Sequence, residues 1–114
     1  MTADKATAPT SADHYFAHLA NELPEITPDT IVSRTLYDGE QVRAIVFGFA
    51  PGQELSEHTA AKRALLYFVS GDAQLTLGED PQEAHAGTFV DMPPHLPHSV
   101  AAQTEVVMLL LLIG

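Results

Sequence analysis

The hydrophobic positions of this chain recur mostly at the short spacing that is typical of β-strands. From Thr30 onward, runs of branched and aromatic residues alternate with turn signals such as Asp38-Gly39, a pair suited to a hairpin. These runs predict strands at residues 30–32, 42–49, 64–69, 73–77, 88–91, 99–102 and 105–113. Many short strands separated by turns indicate an antiparallel β-barrel or sandwich of about six to ten strands.

The N-terminal part follows a different pattern. Ser11 is a suitable N-cap, Pro24 ends the pattern, and the apolar residues between them recur at helical spacing: Tyr15, Phe16, Leu19 and Leu23. This spacing predicts a short helix near residues 12–22. Residues 1–11 are rich in Ala and Thr and have little apolar content, so we expect a flexible tail there. Residues 12–114 are then one domain.

The last strand is apolar at every position from Val106 to Ile113. Apolar and polar residues should alternate along a strand that has one solvent-exposed face, so both faces of this strand are expected to be covered. The barrel interior can cover one face, and a partner subunit or the N-terminal helix must cover the other. A two-fold homodimer is the expected assembly.

Composition and charge exclude several classes of protein. Fifteen acidic residues against five basic ones give a formal net charge of −10, which repels phosphate backbones and anionic lipids, so no nucleic-acid or membrane partner is expected. The eight apolar residues of the last strand are too few for a helix that crosses a bilayer, and residues 1–11 lack the pattern of a signal peptide. We expect a cytoplasmic protein. The absence of cysteine excludes disulfides and thiolate ligands.

Two histidines each close a segment that is marked by glycine and proline. Gly52 precedes His58 and leads on to Gly71, while Gly87 leads through Pro93 to His98. Residues 52–71 and 87–98 have the spacings of the two motifs G-x5-H-x-H-x(3,4)-E-x6-G and G-x5-P-x-G-x2-H. In this respect the chain resembles a small single-domain bacterial cupin of the RmlC-like superfamily. The resemblance implies an all-β fold, a jelly-roll-like antiparallel β-barrel.

The chain departs from these motifs at three positions. Ala60 stands where the family has its second His, Ala64 where it has its Glu, and His95 where the second motif has Gly. The metal-ligand set that the resemblance would imply is therefore incomplete.

Strand alternation and the resemblance together suggest what surrounds the two histidines. Ala64, Leu66 and Phe68 share one strand face, which the resemblance makes the barrel interior. Together with Met92 they would form an apolar pocket in which His58 and His98 orient a small organic ligand. An aromatic or carboxylate-bearing ligand is the expectation.

Two other functions remain open. In the first, the protein is a metal-dependent dioxygenase or isomerase in which His58, His98 and His95 bind a divalent ion (Fe, Zn, Mn or Ni). Non-haem iron usually takes two His and one carboxylate, and catalytic zinc takes three protein ligands. The presence or absence of a third ligand therefore distinguishes this metal-dependent enzyme from a binding protein. In the second, Leu66, Phe68 and Met92 fill the interior, and the protein is an interaction module with a vestigial pocket.

Overall fold

The computed structural model describes residues 14–114, which form nine β-strands in two antiparallel sheets. The strands, in chain order, are β1 (Ile31–Asp38), β2 (Val42–Phe49), β3 (Glu54–His58), β4 (Arg63–Ser70), β5 (Ala73–Leu77), β6 (Asp80–Ala84), β7 (Phe89–Met92), β8 (His98–Ala102) and β9 (Val106–Ile113). The all-β class and the number of strands are therefore as the sequence predicts.

The strand order places distant parts of the chain side by side. One sheet has five strands in the order β1-β2-β9-β4-β7, and the other has four in the order β3-β8-β5-β6. β1 and β2 form a hairpin after Asp38, in which the N–H of Gly39 donates to the carbonyl of Val42 (2.9 Å). In the four-stranded sheet, β3 lies beside β8, so the ends of the two histidine motifs become neighbours.

Two strands were not among those predicted from the hydrophobic runs. β3 has an exposed, polar sequence, and β6 contains Pro81 in a segment that looks like a turn. β6 pairs only with β5 and is an edge of its sheet, a place where proline is tolerated because one side of the strand makes no ladder hydrogen bonds.

The hydrophobic core lies between the two sheets. Alternate residues of each strand point into it, as in β4, where Ala64, Leu66 and Phe68 are buried and their neighbours are more exposed. Both walls contribute large side chains that are less than 2% exposed, including Phe49, Phe68, Leu75, Met92, Met108, Val100 and Val106. The interior is consequently packed rather than hollow along most of its length.

The N-terminal segment is less helical than its spacing predicts. Within the described residues, the region of the predicted helix contains a single 3-10 turn at Leu19–Glu22, and His18 provides no side-chain cap for it. After this turn Leu23 and Ile26 lie against Gly48 of β2, where an added Cβ would meet their side chains at 2.9 and 2.6 Å. The segment is therefore stabilised by packing against β2. Residues 1–11, the predicted tail, lie outside the described residues.

Among residues 14–114, no helical segment has the length and apolar character needed to span a membrane.

Candidate functional site

An irregularity in β3 turns His58 to the same side of the sheet as His98. Leu55 pairs with Val100 and His58 with His98, so three residue steps on β3 match two on β8. A β-bulge at Ser56 and Glu57 accounts for the extra residue. Regular alternation would place Leu55 and His58 on opposite faces of β3. Because of the bulge, both lie on the same face as their partners on β8, Val100 and His98. The sequence contains no signal for this bulge.

His98 begins β8 and lies beside His58. It is 6% exposed, and Val100, two residues later on the same face, is 1% exposed, as strand alternation predicts. The two imidazole rings are in contact, with their centroids 4.1 Å apart and their planes inclined at 59°. Because His58 is exposed and His98 is buried, the pair extends from the surface into the barrel.

Hydrogen bonds to the backbone set the tautomer of each ring. His58 Nδ1–H donates to the carbonyl of Ser56 at 2.8 Å, and His98 Nδ1–H donates to the carbonyl of Leu96 at 2.9 Å. A carbonyl oxygen can only accept, so Nδ1 of each ring must carry the proton. When the rings are neutral, Nε2 of each one is left with a free lone pair. The site therefore presents two hydrogen-bond acceptors.

The environment of His98 favours the neutral ring. Burial lowers the pKa of His98 below its usual 6.5; the hydrogen bond with Leu96 opposes this shift, and the nearby His58 ring adds to it. Removing a cation from water costs free energy unless a partner of opposite charge replaces the solvent. The described contacts of His98 include a carbonyl and an imidazole but no carboxylate.

The apolar residues expected to surround the pair lie deeper in the protein. Ala64, Leu66, Phe68 and Met92 are all 0–2% exposed and belong to the core cluster. Their side chains therefore present almost no accessible surface to a ligand. Leu77, which pairs with His98 and is only partly buried, was not singled out from the sequence and is the nearer apolar neighbour.

The third metal ligand considered from the sequence is not brought to the pair. His95 is exposed and has a positive φ of 70°, and its N–H donates to the carbonyl of Ala60 at 2.7 Å. Across residues 14–114, no three or more His, Cys, Asp or Glu side chains are grouped so that they could hold a metal ion. His58 and His98 alone do not fit a zinc or non-haem iron site, which needs a third protein ligand.

A second histidine with a shifted pKa lies away from this pair. His85 is exposed, its Nδ1 is 2.8 Å from Asp72 Oδ1, and its Nε2 is 3.5 Å from Glu83 Oε1. The hydrogen bond with Asp72 is the main cause of a raised pKa, and the negative charges of Asp72 and Glu83 add to it. His85 and His98 are thus shifted in opposite directions.

Comparisons with solved structures agree with this fold. A conserved protein of unknown function from Streptococcus pyogenes is 28% identical, with 88% of this chain and 87% of that chain covered and a TM-score of 0.79. An RmlC-like cupin from Shewanella frigidimarina is 19% identical over 90% of this chain and 91% of that chain, with a TM-score of 0.75. A cupin superfamily protein from Desulfitobacterium hafniense is 22% identical over 79% and 83%, with a TM-score of 0.75. The comparison with curated proteins gave no match.

The family model described as "Cupin domain" matches residues 45–114, which is more than half of the chain and contains both histidine motifs. Together with the two-sheet barrel and the paired His58 and His98 at its opening, this match establishes that the chain belongs to the cupin domain family.

Proposed function

We propose that this cupin is a binding protein for a small organic molecule, which it holds at the barrel opening through the Nε2 atoms of His58 and His98. The observation that carries the proposal is the pair of rings 4.1 Å apart, each with its Nδ1–H bonded to a carbonyl. Two fixed acceptors at the edge of an apolar interior match the usual form of a small-molecule site, which is mostly apolar with a few oriented polar groups.

The tautomers favour a ligand that donates hydrogen bonds. Near neutral pH a buried His98 with a lowered pKa is uncharged, so its Nε2 accepts. Carboxylates only accept, and the Nε2 of neutral His98 offers them no donor, which makes the carboxylate-bearing ligand expected from the sequence the less suitable choice. An aromatic ring with hydroxyl groups satisfies both acceptors and can pack against Leu77.

This ligand leaves the deep core unchanged. Ala64, Leu66, Phe68 and Met92 expose almost no surface, so the ligand stays close to the surface at His58 and reaches inward only as far as His98. A shallow site of this kind predicts modest affinity, because little of the ligand's surface is removed from water.

Catechol is a suitable probe because its adjacent hydroxyls can each donate to one ring. Isothermal titration of chelator-treated protein is expected to show saturable binding, weakened about 3- to 10-fold in His58→Ala and in His98→Ala, as expected for one lost hydrogen bond. The matched control is His85→Ala, an exposed histidine outside the site, which should bind like wild type. Phenol, whose single hydroxyl can donate to only one ring, should bind more weakly.

The alternatives give different results. Binding of catechol only after zinc or manganese is added would indicate the metal-dependent function in place of direct hydrogen bonding. Equal binding by wild type and both histidine variants, or no binding, would overturn the proposal and favour an interaction module with a vestigial pocket.

A further inference from the structure

We propose that a cleft between β6 and β7 is a second binding site, distinct from the histidine pair, and that it takes a small ammonium compound with an apolar tail. β6 is an edge of the four-stranded sheet and pairs with β5, and β7 is an edge of the five-stranded sheet and pairs with β4. In the part of the chain that the structure describes, no ladder joins these two edges. The opening between them is called the edge cleft below.

The edge cleft has an apolar floor and a volume of about 310 Å³. Leu75 and Leu77 of β5 and Val90 of β7 line it, and all three belong to the hydrophobic core or pack against it. This volume is at the lower end for ligand-binding pockets and holds roughly ten water-sized groups. The floor therefore suits a short alkyl chain, whose burial removes apolar surface from water.

The exposed lining residues bring negative charge and one aromatic ring to the edge cleft. The side chains of Glu83 and Asp91 are 81% and 52% exposed, and Phe89 is 60% exposed. None of the described lining residues carries a basic group. A cation is attracted by the two carboxylates and by the face of the phenyl ring, whereas an anion is repelled. This combination favours an ammonium head group over a carboxylate.

The two carboxylates differ in how free they are to bind a cation. Asp91 Oδ1 is 2.6 Å from Arg63 Nη1, so a strong ion pair already occupies it. Glu83 Oε1 is 3.5 Å from Nε2 of His85, which is beyond the usual hydrogen-bond distance, and Nδ1 of the same ring lies 2.8 Å from Asp72 Oδ1. Glu83 is therefore the main anchor for the ammonium group, and Arg63 competes with a ligand for Asp91.

The edge cleft and the histidine pair have one neighbour in common. Leu77 lines the cleft and pairs with His98 across β5 and β8. Directly paired residues lie on the same side of a sheet, so a substitution of Leu77 would affect both sites. Variants that test the edge cleft must therefore keep Leu77.

NMR titration of the full chain with hexyltrimethylammonium at pH 8 tests this proposal. The probe has about ten non-hydrogen atoms, which matches the volume of the cleft. The backbone amide signals of Phe89 and Val90 should shift and saturate. The dissociation constant should be at least about 10-fold lower than that of hexanoate, which has the opposite charge, and that of tetramethylammonium, which lacks the tail.

Two substitutions of exposed residues should weaken binding of this probe and leave the core intact. Phe89→Ala removes the aromatic ring and should raise the dissociation constant about 2- to 5-fold; its control is Tyr15→Ala, an exposed aromatic residue (52%) outside the sheets. Glu83→Gln should raise it about 3-fold. Its control is Glu40→Gln, which removes the same charge from the exposed turn between β1 and β2, at the opposite edge of the five-stranded sheet.

A third substitution should act in the opposite direction. Arg63→Gln frees the carboxylate of Asp91 and should lower the dissociation constant of the ammonium probe about 2- to 3-fold. Arg43→Gln is the control, because Arg43 is exposed to a similar degree and lies on β2, away from the cleft. Loss of stability alone would not tighten binding, so this result separates a charge effect from a structural one.

Equal binding of hexanoate and the ammonium probe would overturn the proposal, and so would folded Phe89→Ala and Glu83→Gln variants that bind like their controls. Signals that shift only at His58 and His98 would also overturn it, because the probe would then occupy the histidine site. Circular dichroism checks that each variant is folded. Catechol binding should be unchanged in Phe89→Ala and Glu83→Gln, so this test and that of the proposed function can fail separately.

Discussion

Restoring a family ligand at Ala64 is the change whose cost can be worked out most directly from the structure. Ala64 is 1% exposed and is paired on its two sides with Met92 and Leu112. The substitution Ala64→Glu puts a carboxyl group and two methylenes into this apolar wall. The described neighbours on either side offer no hydrogen-bond donor for the carboxylate.

Two costs add up at this position. Overpacking a well-filled core typically costs about 1–3 kcal/mol, and burying a carboxyl group without partners costs at least about 2 kcal/mol more. The sum, about 3–5 kcal/mol, is a large share of the roughly 5–15 kcal/mol that stabilises a typical domain. For a chain of this size the melting temperature should fall by more than about 10 °C. Lower pH should reduce the loss, because the protonated carboxyl group is cheaper to bury.

A divalent metal should recover part of this stability. The family motif has a carboxylate at this position, so Ala64→Glu would add it to the Nε2 atoms of His58 and His98 and complete a two-His, one-carboxylate set. A metal at 100 times its dissociation constant adds about 2.7 kcal/mol to the free energy of unfolding.

Thermal melts with manganese or with a chelator measure both effects. Ala61→Glu is the control, because Ala61 is exposed and lies three residues away, and its melting temperature should change little. If Ala64→Glu melts like the control, the buried apolar wall is contradicted. If the destabilised variant gains no more from metal than wild type does, the expectation from the family motif that a Glu at position 64 reaches the two histidines is contradicted.

Three further predictions concern histidines and glycines. NMR titration should show His85 losing its proton at higher pH than His98. The pKa of His98 in the folded protein lies below its unfolded value of 6.5, so the stability that neutral His98 contributes is present above pH 6.5 and is lost as the pH falls through the folded pKa. A His98→Gln variant should lack this pH dependence. His95→Gly should raise the free energy of unfolding by about 0.5–1 kcal/mol in urea titrations, because the left-handed strain at φ 70° exceeds the entropic cost of glycine, and an unchanged midpoint would refute this. Gly71→Ala should lower the free energy of unfolding by at least about 2 kcal/mol more than Gly87→Ala in the same assay. Both glycines have φ near 90°, but an added Cβ at Gly71 would lie 2.0 Å from the carbonyl oxygen of Glu105, whereas an added Cβ at Gly87 meets no atom within 4 Å. Equal losses would show that the contact does not matter.

The fold could be predicted from the sequence because its signals are local. Apolar runs separated by glycine and proline identify β2, β4, β5 and β9 almost to the residue. The inward direction of Ala64, Leu66 and Phe68 follows from simple alternation. Edge strand β6 was missed because Pro81 reads as a turn, and the helix was overpredicted because residues that are spaced for a helix pack against Gly48 instead.

The site is harder to predict because it depends on departures from regular structure. The bulge in β3 turns His58 to the side of the sheet on which His98 lies, and the residues Ser56 and Glu57 give no sequence signal for a bulge. Likewise, the tautomers depend on two backbone carbonyls, that of Ser56 in the β3 bulge and that of Leu96 in the connection before β8. The positive φ of His95 explains in hindsight why the motif has glycine at this position. The motif spacing selected His58 and His98, which the structure places side by side, whereas their hydrogen-bonding state could be read only from the structure.

The most direct test of the central claim is a long-range ¹H–¹⁵N NMR spectrum of the histidine rings at pH 7.5, recorded with and without catechol. We expect His58 and His98 each to show a protonated Nδ1 and an unprotonated Nε2, and we expect both Nε2 signals to shift when catechol is added. A proton on Nε2 of either ring, or Nε2 signals that do not respond to catechol at any concentration, would contradict a site built from two convergent acceptors.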